Sequence, residues 1–388
     1  MRVLVAPDSF TGTMTAAQAA QAIAAGWAKE APDDVLDLAP MSDGGPGFVA
    51  AMAATLQITL RDCVVSGPLG EPASAQFAFD DTAGTAYVES AQAVGLDLIP
   101  SADRDPRITT SWGLGELLAE VVRVGARRVV VGLGGTGVCD GGAGLLAALG
   151  ATAADANAVD VTPRLREGGI ALADVSCIDL SKPLAMISGV EIVVASDVDC
   201  PLLGPRGAAH GFAAQKGAES EAVDALESAL SAWSAALGTV NVLGTMKQVG
   251  VLLGAGAGGG VGAALFALGA TRQPGIDYVI AASEIARRAQ EADLVITGEG
   301  SFDWQSLRGK VVSGVASAAL AAGRPVVVLA GRVEVGRREW AGIGVSGAYS
   351  LVDLAGSAEV AMADGPEWLK QAAARAARSW SRGLQVRS

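Results

Sequence analysis

Short apolar runs alternate along the chain with longer stretches in which alanine recurs at helical spacing. That alternation predicts strands followed by helices. Arg2–Ala6 is rich in Val and Leu and predicts a buried strand. Thr15-Ala16-Ala17-Gln18 has the spacing of a capping box and opens a helix to about Glu30. Val35–Ala39 predicts the next strand and Ser42-Asp43-Gly44-Gly45 a turn, and Pro46 suits the first position of a following helix. Strand, helix, strand, helix in immediate succession predicts a parallel α/β layer.

Near Thr59 the pattern changes. Thr59–Ser66, Ala75–Phe79 and Ala86–Ser90 read as strands, separated by the turns Gly67–Pro72 and Asp80–Gly84. This is a meander of antiparallel character. A helix over Ser111–Val124 and strands over Arg128–Val131 and Glu191–Ala195 follow. Alternating α/β patterning returns after Pro274. It gives a helix near Ala281–Ala289, a strand over Asp293–Thr297, a helix over Val311–Ala322, and strands over Pro325–Leu329 and Gly347–Leu351. The two ends are alike and the middle is not. The simplest organisation is one α/β domain from residues 1–62 plus 276–388, with residues 63–275 inserted as a mixed α/β domain.

From Val249 to Ala270 the chain carries no charge for 22 residues, long enough for a spanning helix. Eight of the 22 are glycine, three of them in succession at Gly258–Gly260. Glycine costs a helix about 1 kcal/mol per residue relative to alanine. The stretch therefore predicts a strand, a glycine loop and a buried helix rather than a membrane span. At the N-terminus, Arg2 and the short apolar run behind it are too brief for a signal peptide.

Charge narrows the function. Lys and Arg number 28 against 41 Asp and Glu, a net charge of −13. That argues against nucleic acid, whose binders use basic patches to replace condensed counterions, and against anionic lipid. His210 is the single histidine, so a histidine-rich zinc site is excluded. Cys63, Cys139, Cys177 and Cys200 form no C-x-x-C pair, and such scattered thiols fit a reducing cytoplasm. Apolar residues make up 51% of the chain but aromatics only 4%. The core must therefore be built from Ala, Val and Leu, with glycine allowing close approach.

Two glycine loops carry candidate chemistry. Gly132, Gly134 and Gly137, and again Gly254, Gly256 and Gly259, match G-x-G-x-x-G behind a predicted strand. The segment Gly132–Gly144 carries seven glycines and Asp140, more than a dinucleotide fingerprint requires, so a nicotinamide enzyme is disfavoured. No P-loop sequence is present. Glycine lets successive backbone N–H groups approach a phosphate, but it is equally selected where a strand and a helix pack closely.

The positions of the acids favour a ligand. Asp8, Asp43, Asp140, Asp197 and Glu299 each stand at or just past a predicted strand end, beside Gly or Ser, and Asp303 follows shortly after Gly300-Ser301. Open parallel sheets bind ligands there, and such carboxylates can hold Mg²⁺ or accept a proton. Taken singly, each has the plainer reading of a helix N-cap. Lys216 and Lys310 are the first candidates to supply the positive charge that phosphoryl transfer needs; the plainer reading is a solvated surface lysine. His210, Cys139 and Cys200 read as packing residues.

The segments Ala6–Phe10, Ser42–Gly45, Gly132–Gly135, Asp140–Gly144, Asp197-Val198 with Pro201–Pro205, Gln215–Ala218, Gly254–Ala257, Pro274–Ile276 and Ala292–Gly300 occur in that order. Together they resemble the bacterial glycerate kinases of the glycerate 2-kinase type, an actinobacterial-like branch, along nearly the whole chain. The resemblance implies a Rossmann- or flavodoxin-like parallel-sheet domain, a second mixed α/β domain inserted in it, and an active site in the cleft between them. It implies ATP-dependent phosphorylation of D-glycerate to 2-phosphoglycerate, with ATP and Mg²⁺ as cofactors.

Under that resemblance the candidates take roles. Asp197, Asp43, Lys216 and Lys310 are catalytic, with Asp197 favoured as base. Asp8, Ser9, Gln215, Glu299 and Asp303 meet the substrate. Gly132, Gly134, Gly135, Thr136, Asp140, Gly254, Gly256 and Gly258 hold the nucleotide, and Asp43, Asp197 and Glu299 hold the metal. Thr11 stands where the family usually has Lys, Pro46 where it has Glu, and Cys139 and Cys200 where it has Asn. The first two changes remove a cation and an acid from the expected site. A kinase of a related small hydroxy acid, and a non-catalytic ligand-binding homologue, therefore stand as alternatives. The expected partners are small molecules, with no nucleic acid and no membrane; a homodimer is compatible.

Overall fold

A computed structural model describes residues 1–385 apart from Thr11 and Leu243, with side chains described to 381. The Thr11 departure thus lies outside the described residues. In chain order the strands are β1 Arg2–Val5, β2 Val35–Leu38, β3 Thr59–Ser66, β4 Pro72–Asp80, β5 Thr85–Glu89, β6 Arg128–Gly132, β7 Thr152–Ala154, β8 Cys177–Asp179, β9 Glu191–Ala195, β10 Thr239–Val242, β11 Thr245–Gln248, β12 Thr271–Gln273, β13 Leu294–Phe302, β14 Val326–Val333 and β15 Val345–Ser350. The chain divides into two compact units. The first comprises Met1–Asp43, Ala50–Ile58 and Ile276–Ser388; the second comprises Gly44–Val49 and Thr59–Gly275.

The first unit is a five-stranded, wholly parallel sheet in the order β15-β14-β13-β1-β2. Numbered within the unit, that is the 2-1-3-4-5 order of flavodoxin-like folds, with its switch point between β1 and β13. The strands are Val- and Leu-rich because helices cover both faces of such a sheet; Val3, Leu4, Val5 and Val326–Leu329 are fully buried. The helix Ala16–Glu30 begins at the expected capping box. Gln18 N donates to Thr15 Oγ1 (3.2 Å) and Thr15 N to Gln18 Oε1 (2.9 Å). It packs on the C-terminal helix Gly365–Gln385, and Gly26 allows the approach because a Cβ there would run into the Lys370 carbonyl.

The second unit holds a six-stranded mixed sheet in the order β12-β9-β6-β5-β4-β3. The meander β3-β4-β5 is antiparallel, and β5, β6, β9 and β12 are parallel. The unit also holds the two-stranded ribbons β7-β8 and β10-β11. Its core is aliphatic around Trp233 and Phe77.

Several expectations are corrected. The helix after the first turn starts at Phe48, not Pro46, because Gly47 adopts a positive φ of 94° that no helix continues. Val249–Val251 is a 3₁₀ turn rather than a strand, followed by glycine turns and the buried helix Val261–Ala267. Among the described residues no helix is long and apolar enough to cross a membrane. The helix expected near 281–289 is two, Gly275–Ala282 and Ile285–Glu291, broken where Glu284 is left-handed. Strand β13 runs on through Glu299 to Phe302, pairing with Ala330–Val333 of β14. Gly298 and Gly331 let the two backbones close up there, since a Cβ on either would run into the Leu329 or Gly300 carbonyl. After β15 come three helices, Leu351–Ala355, Ala358–Ala363 and Gly365–Gln385, that the apolar-run pattern left unassigned.

Candidate active site

In the first unit, backbone hydrogen bonds tie three strand ends together at the switch point. Asp8 N donates to Gly298 O (2.8 Å), and Met41 N to Pro7 O (2.9 Å). Thr297 Oγ1 donates to Ala6 O (2.8 Å). Asp8, past the end of β1, is thereby set among Asp43, which follows β2, and Glu299, which lies on β13. Asp8 Oδ1 accepts from Ser9 N (2.6 Å). Burial, and next the negative charge of Asp43, push the Asp8 carboxyl up to about 7; Glu299 adds to the rise and the Ser9 N–H opposes it.

Glu299 is buried, and its Oε1 has no hydrogen-bond partner among the described residues. Burial lifts this carboxyl too to about 7, against the Ser306 hydroxyl and the Lys310 ammonium, while Asp303 and Asp43 raise it. Asp303 closes an Asx turn, its Oδ1 accepting from Gln305 N (2.7 Å) and Ser306 N (3.3 Å). The turn leads to Lys310, the N-cap residue of the helix Val311–Ala321, whose N–H donates to Ser313 Oγ (3.1 Å). Sequence reasoning had set Asp8, Ser9, Asp43, Glu299, Asp303 and Lys310 apart as substrate, metal and catalytic groups; one end of one sheet gathers them.

The second unit brings the glycine loops together behind β6. A Cβ at Gly132 would meet Gly44 O and the Phe48 ring at 2.7 Å; one at Gly134 would meet Gly45 Cα at 2.9 Å; one at Gly135 would meet Pro46 Cγ at 2.7 Å. These glycines thus let the Gly44–Phe48 segment lie on the loop. Gly256 packs on Pro201 and Cys200, Gly258 on Leu133, and Gly254 on Arg272. Close packing accounts for glycine at each of these positions. What remains for a ligand is backbone: the N–H groups of Gly134, Gly135 and Thr136 have no acceptor among the described residues.

Asp140 faces inward. Its side chain is wholly buried, accepting from Ser111 N (2.7 Å), Ser111 Oγ (2.8 Å), Gly142 N (3.0 Å) and Gly144 N (3.2 Å). It clamps its own loop, and burial raises its pKa. Lys216 is buried as well, its Nζ donating to Val138 O (2.6 Å) and Thr136 Oγ1 (3.2 Å). Burial pushes its pKa down. Gln215 beside it is exposed. Asp197 follows β9, next to Ser196, whose Oγ donates to Leu133 O (3.2 Å). Among the described residues no three His, Cys, Asp or Glu side chains form a cage that could hold a metal.

One acid escaped the sequence reading. Glu89, at the end of β5, is buried and accepts from Gly47 N (2.9 Å) and Val49 N (3.3 Å). It caps the entry to the helix Phe48–Leu56, and burial raises its pKa. It meets the same criterion as the others, an acid beside Ser at a strand end, and that signal would have found it.

The flavodoxin-order sheet with carboxylates at its switch point, and the second α/β unit with unfilled donors at its strand ends, define a two-unit α/β enzyme. More particularly, the chain belongs to the glycerate kinase family, whose profile matches residues 3–381, and it is a kinase. A glycerate kinase of Halalkalibacterium halodurans is 38% identical over 385 residues, covering 98% of this chain and 99% of that protein. The glycerate 2-kinase of Escherichia coli K12 is 40% identical over 334 residues, 85% of each. The crystal structure of a proposed glycerate kinase 2 from Salmonella typhimurium LT2 superposes with a TM-score of 0.83 at 35% identity, covering 99% of each chain.

Proposed function

We propose that this kinase transfers the γ-phosphoryl group of ATP to the 2-hydroxyl of D-glycerate, giving 2-phosphoglycerate and ADP. Family membership and the names of the relatives support the substrate. The observation that carries the chemistry is the carboxylate set Asp8–Asp43–Glu299, in which burial, the largest cause, lifts Asp8 to about 7 before any cation binds. A proton acceptor works best when its pKa lies near the working pH. Asp8 has one oxygen committed to Ser9 N–H, and we assign the other to the substrate hydroxyl. The glycerate oxygen bonds to the γ-phosphorus, the bond from that phosphorus to the oxygen leaving with ADP breaks, and the hydroxyl proton passes to Asp8.

Mg²⁺ fits this donor set. The partnerless buried Oε1 of Glu299 suits a cation, and magnesium is usually held by one or two carboxylates and substrate phosphates rather than a full protein cage. Glu299 and Asp43 would hold it, and it would offset charge on the phosphate oxygens. Lys310 adds a positive charge at the same strand end, and Ser9 holds the substrate. In the second unit, taken by itself, the Gly134–Thr136 N–H groups are donors suited to phosphate oxygens.

Two variants test the assignment of the base. Asp8→Asn should lower kcat by about 10²–10⁴-fold, and Asp197→Asn, the base favoured from sequence, should lower it less. A larger loss at Asp197 than at Asp8 returns the role to Asp197.

A further inference from the structure

The Gly134–Thr136 turn is backed by a cation that cannot itself reach solvent. Lys216 is 4% exposed, and its Nζ is spent on Val138 O and Thr136 Oγ1. No carboxylate lies within ion-pair distance of it among the described residues. The nearest acid in sequence to that loop, Asp140, is consumed by Ser111 and two backbone donors. An ammonium buried with no ion-paired carboxylate is costly; the charge of Asp140 acts on it only from beyond ion-pair distance. Burial lowers its pKa, and a nearby anion would offset that cost.

The bond to Thr136 has a directional consequence. An ammonium is donor-only, so Thr136 Oγ1 must accept from it. The hydroxyl proton then points elsewhere, and no acceptor for it exists among the described residues. Three backbone N–H groups and one oriented O–H therefore stand on one turn with nothing to donate to. Thr109 Oγ1 donates to Gly137 O (3.0 Å) and steadies the turn from behind.

We infer that the Thr136 hydroxyl is a donor to the phosphate oxygens of the nucleotide, and that Lys216 is a positioning residue that orients it without touching the nucleotide. The inference rests on the proposed phosphoryl transfer and deepens it. It also changes the role read from sequence for Lys216, from a charge on the transferred group to a support beneath the loop.

Losing one preorganised donor to developing charge costs about 10²–10³-fold in kcat. Thr136→Val, which keeps the shape and loses the hydroxyl, should show that loss with the KM for glycerate little changed. Thr136→Ser should recover most of it. Lys216→Met should match Thr136→Val, and the double variant should be no worse than either single change, because both remove one interaction. Multiplicative losses would mean that Lys216 acts on the phosphoryl group directly and would overturn the inference.

Binding of inorganic tripolyphosphate by calorimetry supplies a readout independent of turnover. Wild type and Thr136→Ser should bind it, and Thr136→Val should bind it about tenfold more weakly. Equal binding by wild type and Thr136→Val, or none by wild type, overturns the inference. Absence of ATP- and glycerate-dependent turnover in a wild type that does discriminate in this way would instead overturn the proposed reaction. Thr136→Val is confined to one small buried side chain, so the comparison stands even if Lys216→Met fails to fold.

Discussion

Replacing Asp8 by Asn should make the protein more stable at pH 8 while impairing it as an enzyme. The carboxyl sits at about 7 in the folded chain, against an ordinary value of 3.8. A raised carboxyl pKa means the folded state holds the proton more tightly than the unfolded state does. Stability is therefore greatest below the unfolded value and falls as pH rises through the window from 3.8 to about 7. Between pH 5 and pH 7 the window spans about two pKa units, a ceiling of about 2.7 kcal/mol at 1.36 kcal/mol per unit.

Asn carries no charge at either pH and still offers an acceptor to the Ser9 N–H. It removes the pH-dependent part of the cost and leaves any packing change the same at both pH values. For domains of about 150–250 residues, 1 kcal/mol moves Tm by about 2–4 °C. The Tm difference between variant and wild type should thus be more favourable at pH 8 than at pH 5, by up to about 5–11 °C. The assay is differential scanning calorimetry of both proteins at the two pH values, with EDTA and without substrates. A Tm difference that does not change with pH would refute the argument that burial and the charge of Asp43 hold this carboxyl up.

Three further substitutions probe the scaffold. Asp140→Ala should destabilise by about 3 kcal/mol or more, because it orphans the buried donors of Ser111, Gly142 and Gly144; an unchanged Tm with lost turnover would make Asp140 a ligand contact instead. Gly259→Ala should cost about 3 kcal/mol in chemical denaturation, since φ is +70° and a Cβ would run into the Val138 carbonyl; full stability would show that this loop yields. Thr15→Ala should cost about 1 kcal/mol by removing the capping box of the first helix, and a wild-type denaturation midpoint would contradict that reading.

Much of the frame was legible because its signals are local. The capping box at Thr15, the strand Thr59–Ser66 and the strand Glu191–Ala195 stand where the pattern put them. The acids of the first unit were legible through one rule, that ligand groups gather at the carboxyl ends of parallel strands. The rest depends on partners remote in sequence. Gly132, Gly134 and Gly135 look like a phosphate cradle, yet they are glycine because residues 44–48 lie against them. Lys216, which reads as a solvated surface lysine, is buried, and its Nζ bonds Val138 O, 78 residues away. The pKa values of Asp8 and Glu299 likewise arise from the meeting of strand ends that no short window contains. The sequence pattern ends its strands at Thr297 and Leu329, but β13 and β14 run on through Gly298 and Gly331, where two backbones approach closely.

The most direct test of the proposed reaction is ADP release coupled to a spectrophotometric readout, with Mg²⁺, ATP and D-glycerate, and the product identified by ³¹P NMR. The account predicts ADP release that depends on D-glycerate and a phosphate ester on the 2-oxygen. Release with another hydroxy acid but not with D-glycerate, or none at all from folded protein, would contradict it.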